Sequence, residues 1–155
     1  MASPGPAPPG SARRHGWALA RLRAAGYRST RPRVLLLRVL ADADGHLTAD
    51  ALHRRATASR HLDLSTVYRT LAVFERIRLV HTLEIGGRVT YGLADHPHAH
   101  AVCTGCARVA ALRGGPWERL TAQVAARWEG FVCDGVVIRG QCGRCLAGGT
   151  DTADE

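Results

Sequence analysis

Two CxxC pairs, Cys103 with Cys106 and Cys142 with Cys145, constrain the second half of this chain more than any other feature. Each pair sets two thiolates on one tight turn, and four thiolates about one ion make a closed tetrahedral zinc site with no open position for chemistry. Around and between the pairs, residues 98–102, 108–112 and 136–139 read as strands and 117–128 as a helix. An α/β unit of about fifty residues is too small to hold together without a staple or a partner chain. A structural zinc supplies the staple. One CxxC alone would read as a redox dithiol; two in one small unit point to zinc. Cys133, preceded by Phe131 and Val132, reads as a buried apolar residue and not as a ligand.

The first cysteine pair sits at the end of ADHPHAHAVCTGC, which also carries His96, His98 and His100. On an extended strand His98 and His100 project from one face, about 6 to 7 Å apart, which suits two imidazoles converging on one ion. Cys103 has the opposite parity, so histidines and cysteines diverge and the run feeds two sites. The histidine site needs further ligands from elsewhere. The sequence offers His46, His81, Asp95, His96 and Glu118, and any that lie in the first half would tie the two halves together through the metal.

That first half is strongly basic. Residues 1–80 hold fourteen Arg against five acids, whereas residues 81–155 hold seven Arg against eight acids, and there is no Lys in the chain. Guanidinium groups suit bidentate contacts to phosphates and guanine edges; a coding bias explains Arg for Lys but not the uneven placement. A basic half joined to a neutral one implies a polyanion-binding module linked to something else.

Residues 1–13 are rich in Pro, Gly and Ala and are expected to be a disordered arm. No apolar run serves as a signal or membrane span, which implies a cytoplasmic protein whose five cysteines stay reduced. Residues 16–25 read as a helix with Trp17, Ala20 and Ala24 inward and Gly26 as its stop. In the next segment Thr30 can cap, Pro32 suits a first turn, 34–40 is the most apolar run, and Gly45 ends the helix. Thr48 caps a third helix with Leu47, Ala51 and Leu52 on its inner face.

The fourth helix, LSTVYRTLAVFER, places Val67, Leu71 and Phe74 toward a core. Ser65, Arg69, Ala72 and Arg76 face the other way, with Tyr68 on the flank. Alone this could be a solvated surface helix. It is followed, however, by two β-rich runs joined through Gly86 and Gly87, a hairpin signal. Helices followed by a hairpin make a winged helix, and with the basic half-charge the outward residues read as a recognition helix for the major groove.

The order AGYRSTRPR, GHLTAD, LSTVYRTL, HPHAHAVCTGC and GQCGRC, across residues 20–147, resembles the ferric uptake regulator family of bacterial metal-responsive repressors. The resemblance implies an α+β chain with a winged-helix DNA-binding domain (14–91), a hinge (92–97), a small α/β dimerisation domain (98–147) and a loose tail (148–155). It also implies a homodimer on a palindromic operator in double-stranded DNA. By position, Tyr68 and Arg69 match residues that read DNA, Ser65 and Thr66 match the start of the recognition helix, and Arg28 matches a basic residue near the minor groove. Cys103, Cys106, Cys142 and Cys145 match the structural zinc ligands, and His98 and His100 match two ligands of the sensory site.

His46 sits where iron and peroxide sensors place a histidine, and His81 where zinc sensors place a ligand. The position after Tyr91, where many members carry a carboxylate or thiolate, is Gly92. A set of His46, His81, His98 and His100 would be all nitrogen, which suits zinc, with iron or nickel next, better than manganese; whether His46 or His81 completes it stays open. An accessory family site is expected to be absent, because two of its histidine positions are Pro97 and Ala99, although Glu118 and Asp134 match the others. A peroxide switch on an iron-loaded site is the rival reading. A zinc enzyme is remote: the HxE with PCxxC and HExxH signatures are missing.

Overall fold

The computed structural model describes residues 10–43, 45–58, 61–95, 99–112, 117–131, 133 and 135–148. The chain forms two compact units, dividing between residues 96 and 97.

The first unit contains α1 (Ser11–Ala24), α2 (Arg31–Asp42), β1 (Leu47–Thr48), α3 (Ala49–Thr57), α4 (Leu64–Arg76), β2 (Val80–Ile85) and β3 (Arg88–Leu93). Its core is built by one stripe from each helix: Leu22 of α1, Leu36, Leu37 and Leu40 of α2, Leu52 of α3, and Val67, Leu71 and Phe74 of α4, all fully buried. The inward positions of α4 are those its apolar periodicity predicts. Those of α1 are not: Ala18 and Leu22 are buried, with Trp17 packed partly against the core, while Ala20 and Ala24 are exposed.

The reason lies at the start of α1, which begins at Ser11 and so includes three residues expected in the disordered arm. Arg14 anchors this end. Its Nη1 donates to the carbonyls of Ala41 at 2.9 Å and Ala43 at 3.0 Å, its Nε donates to Asp95, and Ser11 hydrogen-bonds Asp42. Tertiary partners order a segment whose composition alone argues for disorder, and they set which face of the helix turns inward. Gly26, at φ +81°, ends the helix in the left-handed conformation that glycine adopts freely.

Thr48 caps α3 as expected, its hydroxyl accepting from the amide of Ala51 at 3.1 Å. The same residue belongs to β1, a two-residue strand that the sequence does not announce. β1 and β2 both pair antiparallel with β3, so the sheet order is β1-β3-β2. Leu47 lies opposite Tyr91, and Leu83 opposite Thr90. The β2–β3 turn uses Gly86 and Gly87 at φ +57° and +76°, the paired positive values of a tight two-residue hairpin. β3 continues through Gly92 and Leu93, two residues expected in the hinge, because both are paired to β2.

The second unit contains β4 (Ala99–Cys103), β5 (Val109–Leu112), α5 (Trp117–Ala125), β6 (Val136–Gly140) and the short α6 (Gly143–Leu146). β4 is central, antiparallel to β5 and parallel to β6. Parallel pairing of β4 and β6 needs a crossover, and the segment carrying α5 provides it. α6 was too short to announce itself by periodicity. Among the described residues no helix is long and apolar enough to cross a membrane.

Candidate metal centres and nucleic-acid interface

The cysteine site follows from sheet register. Cys103, the last residue of β4, lies opposite Gly140, the last of β6, so parallel pairing delivers the two CxxC turns to the same end of the sheet. The four sulfurs lie within 4.8 Å of one another. Cys103 Sγ is 3.7 Å from Cys145 Sγ, and Cys106 Sγ is 3.9 Å from Cys142 Sγ. Tetrahedral zinc with Zn–S near 2.3 Å requires sulfurs about 3.8 Å apart, so the donor set fits that ion in number, softness and spacing.

The turns that carry the cysteines are shaped for this closeness. A Cβ at Gly105 would stand 2.8 Å from Cys145 Sγ. The amide of Cys142 donates to Cys103 Sγ at 3.3 Å. Backbone amides of Cys106 and Cys142 pull the Cys103 thiol down to about 6, and the amide of Cys145 lowers Cys142. Cys145, hydrogen-bonded to Cys142 and partly shielded from water, is pushed up to about 12. Backbone amides thus favour the thiolate form at Cys103 and Cys142. Cys133 takes no part: it is exposed, its thiol 3.4 Å from the Gly135 carbonyl, which corrects the expectation of a buried residue. Phe131, two positions earlier, is exposed too.

In the first unit, His46 and His81 meet, with their Nε2 atoms 2.7 Å apart and their rings nearly perpendicular at 76°. The sheet explains the encounter. His81 of β2 lies directly opposite Gly92 of β3, and His46 immediately precedes β1, continuing the Leu47–Tyr91 register by one step toward Gly92. The three residues form a row across the sheet, on one face. Flanking strands two steps apart are separated by roughly 10 Å, and the His46 ring crosses above Gly92, where a Cβ would stand 2.8 Å from its Nε2. Sequence reasoning named both histidines as alternatives. It did not see that one row holds them together, because β1 was not legible.

His100 lies on β4 in the second unit, buried, opposite Ala111 and Val137. His96, His98 and Asp134 lie outside the described residues, and Glu118 stands in the first turn of α5. Asp95, offered by the sequence as a further ligand, is held in an ion pair with Arg14 at 2.7 Å.

The face expected to meet DNA lies on α4. Tyr68 is 49% exposed despite its ring, and Ser65 and Arg69 are exposed beside it. The Arg69 guanidinium folds back along the helix, Nη2 donating to Ser65 Oγ at 3.3 Å and to Thr66 Oγ1 at 3.4 Å. These hydroxyls hold the fork near the helix N-terminus, where a recognition helix meets base edges. Arg28 is exposed in the α1–α2 connection, its carbonyl accepting from Arg33 at 2.8 Å. Nearby, the Arg33 guanidinium lies 5.2 Å from the centre of the Tyr27 ring, a cation–π distance.

The family profile described as "Ferric uptake regulator family" matches residues 24–134. The chain is 31% identical over 131 residues to the ferric uptake regulation protein of Campylobacter jejuni, covering 80% of this chain and 83% of that one. It is 33% identical over 127 residues to the zinc uptake regulation protein of Mycobacterium tuberculosis, covering 79% and 97%. Among solved structures, the ferric uptake regulator of Pseudomonas aeruginosa with manganese superposes with a TM-score of 0.70 at 29% identity, covering 81% of this chain and 98% of that one. With a four-thiolate cluster, a winged helix presenting Tyr68 and Arg69, and these likenesses over most of its length, the chain belongs to the ferric uptake regulator family, whose members are metal-responsive transcriptional repressors and not enzymes.

Proposed function

We propose that this repressor responds to zinc, and that it binds a palindromic operator as a homodimer to shut off metal-uptake genes when the metal is plentiful. The observation that carries the metal assignment is the His46–His81 pair, two imidazole nitrogens 2.7 Å apart in the DNA-binding unit. In this reading His98 and His100, which a spacing of two would turn to one face of an extended run, complete an all-nitrogen set from the second unit. A tetrahedral set of neutral imidazoles suits zinc and disfavours manganese, which prefers oxygen ligands. The similarity to a protein named for zinc uptake regulation is in keeping with it.

A bound divalent ion supplies a Lewis-acid tie among the imidazoles. The chain's own residues do the rest. With two donors on each unit, the set is complete only when the units close, so ligation favours the closed arrangement by the difference in affinity between closed and open forms. Tyr68 and Arg69 then read base edges, Ser65, Thr66 and Arg28 contact the backbone, and the hairpin reaches the flanking groove. Dimerisation would cover some of the apolar side chains of the second unit that are exposed in the single chain, among them Leu120, Trp128, Phe131 and Leu146.

Iron is the second reading, since a relative named for ferric uptake regulation is about as similar as the zinc one. Metal content after purification without chelators, followed by operator binding titrated with Zn, Fe(II), Mn and Ni, separates the two. Zinc should tighten operator binding at the lowest free concentration; Fe(II) doing so instead would transfer the assignment to iron. Operator binding by His98→Ala as tight as wild type, with and without metal, would end the sensory role. Loss of operator binding after peroxide treatment of an iron-loaded sample would favour the redox switch.

A further inference from the structure

We propose that His53 is a positioning residue for DNA reading: its imidazole ties α3 to the entry of α4 and so fixes where the first turns of α4, with Ser65, Thr66, Tyr68 and Arg69, stand. The proposal rests on the reading of α4 as the DNA face but concerns a residue on the preceding helix. His53 Nε2 lies 2.6 Å from the carbonyl oxygen of Leu62, two positions before α4 begins at Leu64. A carbonyl can only accept, so Nε2 carries the proton and donates.

The start of α4 has no cap of its own to fix it. Asp63 occupies the N-cap position in extended backbone, at φ −73° and ψ 141°, yet its side chain caps no amide. A carboxylate there ordinarily closes one of the open amides of the first turn. That of Asp63 is 72% exposed and faces the His61 ring at 3.4 Å. The entry is instead held at Leu62, whose side chain is buried in the core and whose carbonyl accepts from His53. His53 is itself half-buried on α3, and its own carbonyl accepts from Thr57 Oγ1 at 2.8 Å. The tie therefore joins one packed helix to the first turn of the next.

Its consequence falls on sequence preference. Hydrogen bonds to base edges are directional and need Tyr68 and Arg69 in register, whereas the attraction of a basic face to phosphates is electrostatic and indifferent to sequence. Without the tie α4 samples entries in which the Arg69 fork is out of register, and affinity for a preferred duplex falls with the fraction of chains still aligned. The net worth of one hydrogen bond sets that loss at about threefold to tenfold.

The test uses full-length protein saturated with zinc and two duplexes, one enriched by the wild type from a random pool and one with the same bases scrambled. His53→Phe keeps a ring and removes the donor; His53→Gln offers a side-chain amide at similar reach. His53→Phe should bind the enriched duplex about threefold to tenfold more weakly than wild type and the scrambled duplex equally well, and His53→Gln should recover most of the difference. Hydrogen exchange supplies a readout without DNA. The amides of Thr66 and Val67, which donate to the Asp63 carbonyl at 2.9 and 3.2 Å, should exchange faster in His53→Phe and return toward wild type in His53→Gln, while the amides of α2 stay protected. Unchanged preference in His53→Phe, an equal loss on both duplexes, or a loss that His53→Gln does not relieve would overturn the proposal. If the wild type enriches no duplex while the exchange pattern is as expected, the reading of α4 as a DNA face falls and the tie between α3 and α4 stands.

Discussion

Arg14 Nε donates to Asp95 Oδ2 at 2.7 Å, joining the first helix to the residue just beyond the wing hairpin, 81 positions away in sequence. The two side chains are 13% and 3% exposed, so this pair is shielded from the screening that makes surface ion pairs nearly worthless. Removing one partner of a buried pair costs about 3 to 5 kcal/mol, and Arg14 also holds the carbonyls of Ala41 and Ala43.

Arg14→Ala is therefore expected to destabilise the first unit by about 3 kcal/mol, taken at the low end because the guanidinium is not fully buried. Urea unfolding followed by helical circular dichroism measures it. Protease cleavage near residue 11, absent in wild type, should accompany the loss.

The hairpin turn offers a smaller effect with a purer cause. A Cβ at Gly87 meets nothing within 4 Å, yet its φ is +76°, so Gly87→Ala carries only the conformational cost of the left-handed region, about 1 to 2 kcal/mol. A lowered melting temperature of the first unit with unchanged metal stoichiometry is the expected result.

On the DNA face, Arg69→Ala should weaken operator binding by about 1 to 3 kcal/mol and relax sequence preference at the base pairs it reads. Arg28→Ala should weaken binding to all sequences alike and reduce the salt dependence by about one phosphate contact. Binding isotherms on operator and scrambled duplexes at several salt concentrations distinguish these outcomes.

Chelation should divide the molecule thermodynamically. Removing zinc from the four-thiolate site is expected to melt the second unit, whose size gives it little core of its own, while the α1–α4 core of the first unit keeps its cooperative transition. Thiol titration gives the matching chemistry: one fast-reacting thiol per zinc-loaded chain, the exposed Cys133, and five after chelation. Cys142→Ser should reproduce the chelated melting behaviour.

Most of the helices and the hairpin were legible because their signals are local. Gly26 and Gly86–Gly87 mark stops and turns by conformational freedom, Thr48 marks a cap by its hydroxyl, and the α4 stripe repeats at helical spacing. The four-cysteine cluster was equally legible, since two CxxC units carry their chemistry in four residues. Position 100 was readable as a strand residue because the run around it reads as a strand.

What escaped the sequence depends on residues distant along the chain. Two residues of strand at Leu47–Thr48 have no periodicity to reveal them, yet their pairing with β3 puts His46 in line with Gly92 and His81. The order in residues 11–13 comes from Arg14 reaching Ala41, Ala43 and Asp95, partners that composition cannot supply. By itself the sequence determined which candidate donors and which outward polar groups the protein owns, because side-chain chemistry and short spacings are local properties. Only the tertiary structure decided that His46 and His81 stand together, because that depends on strand register between segments distant along the chain.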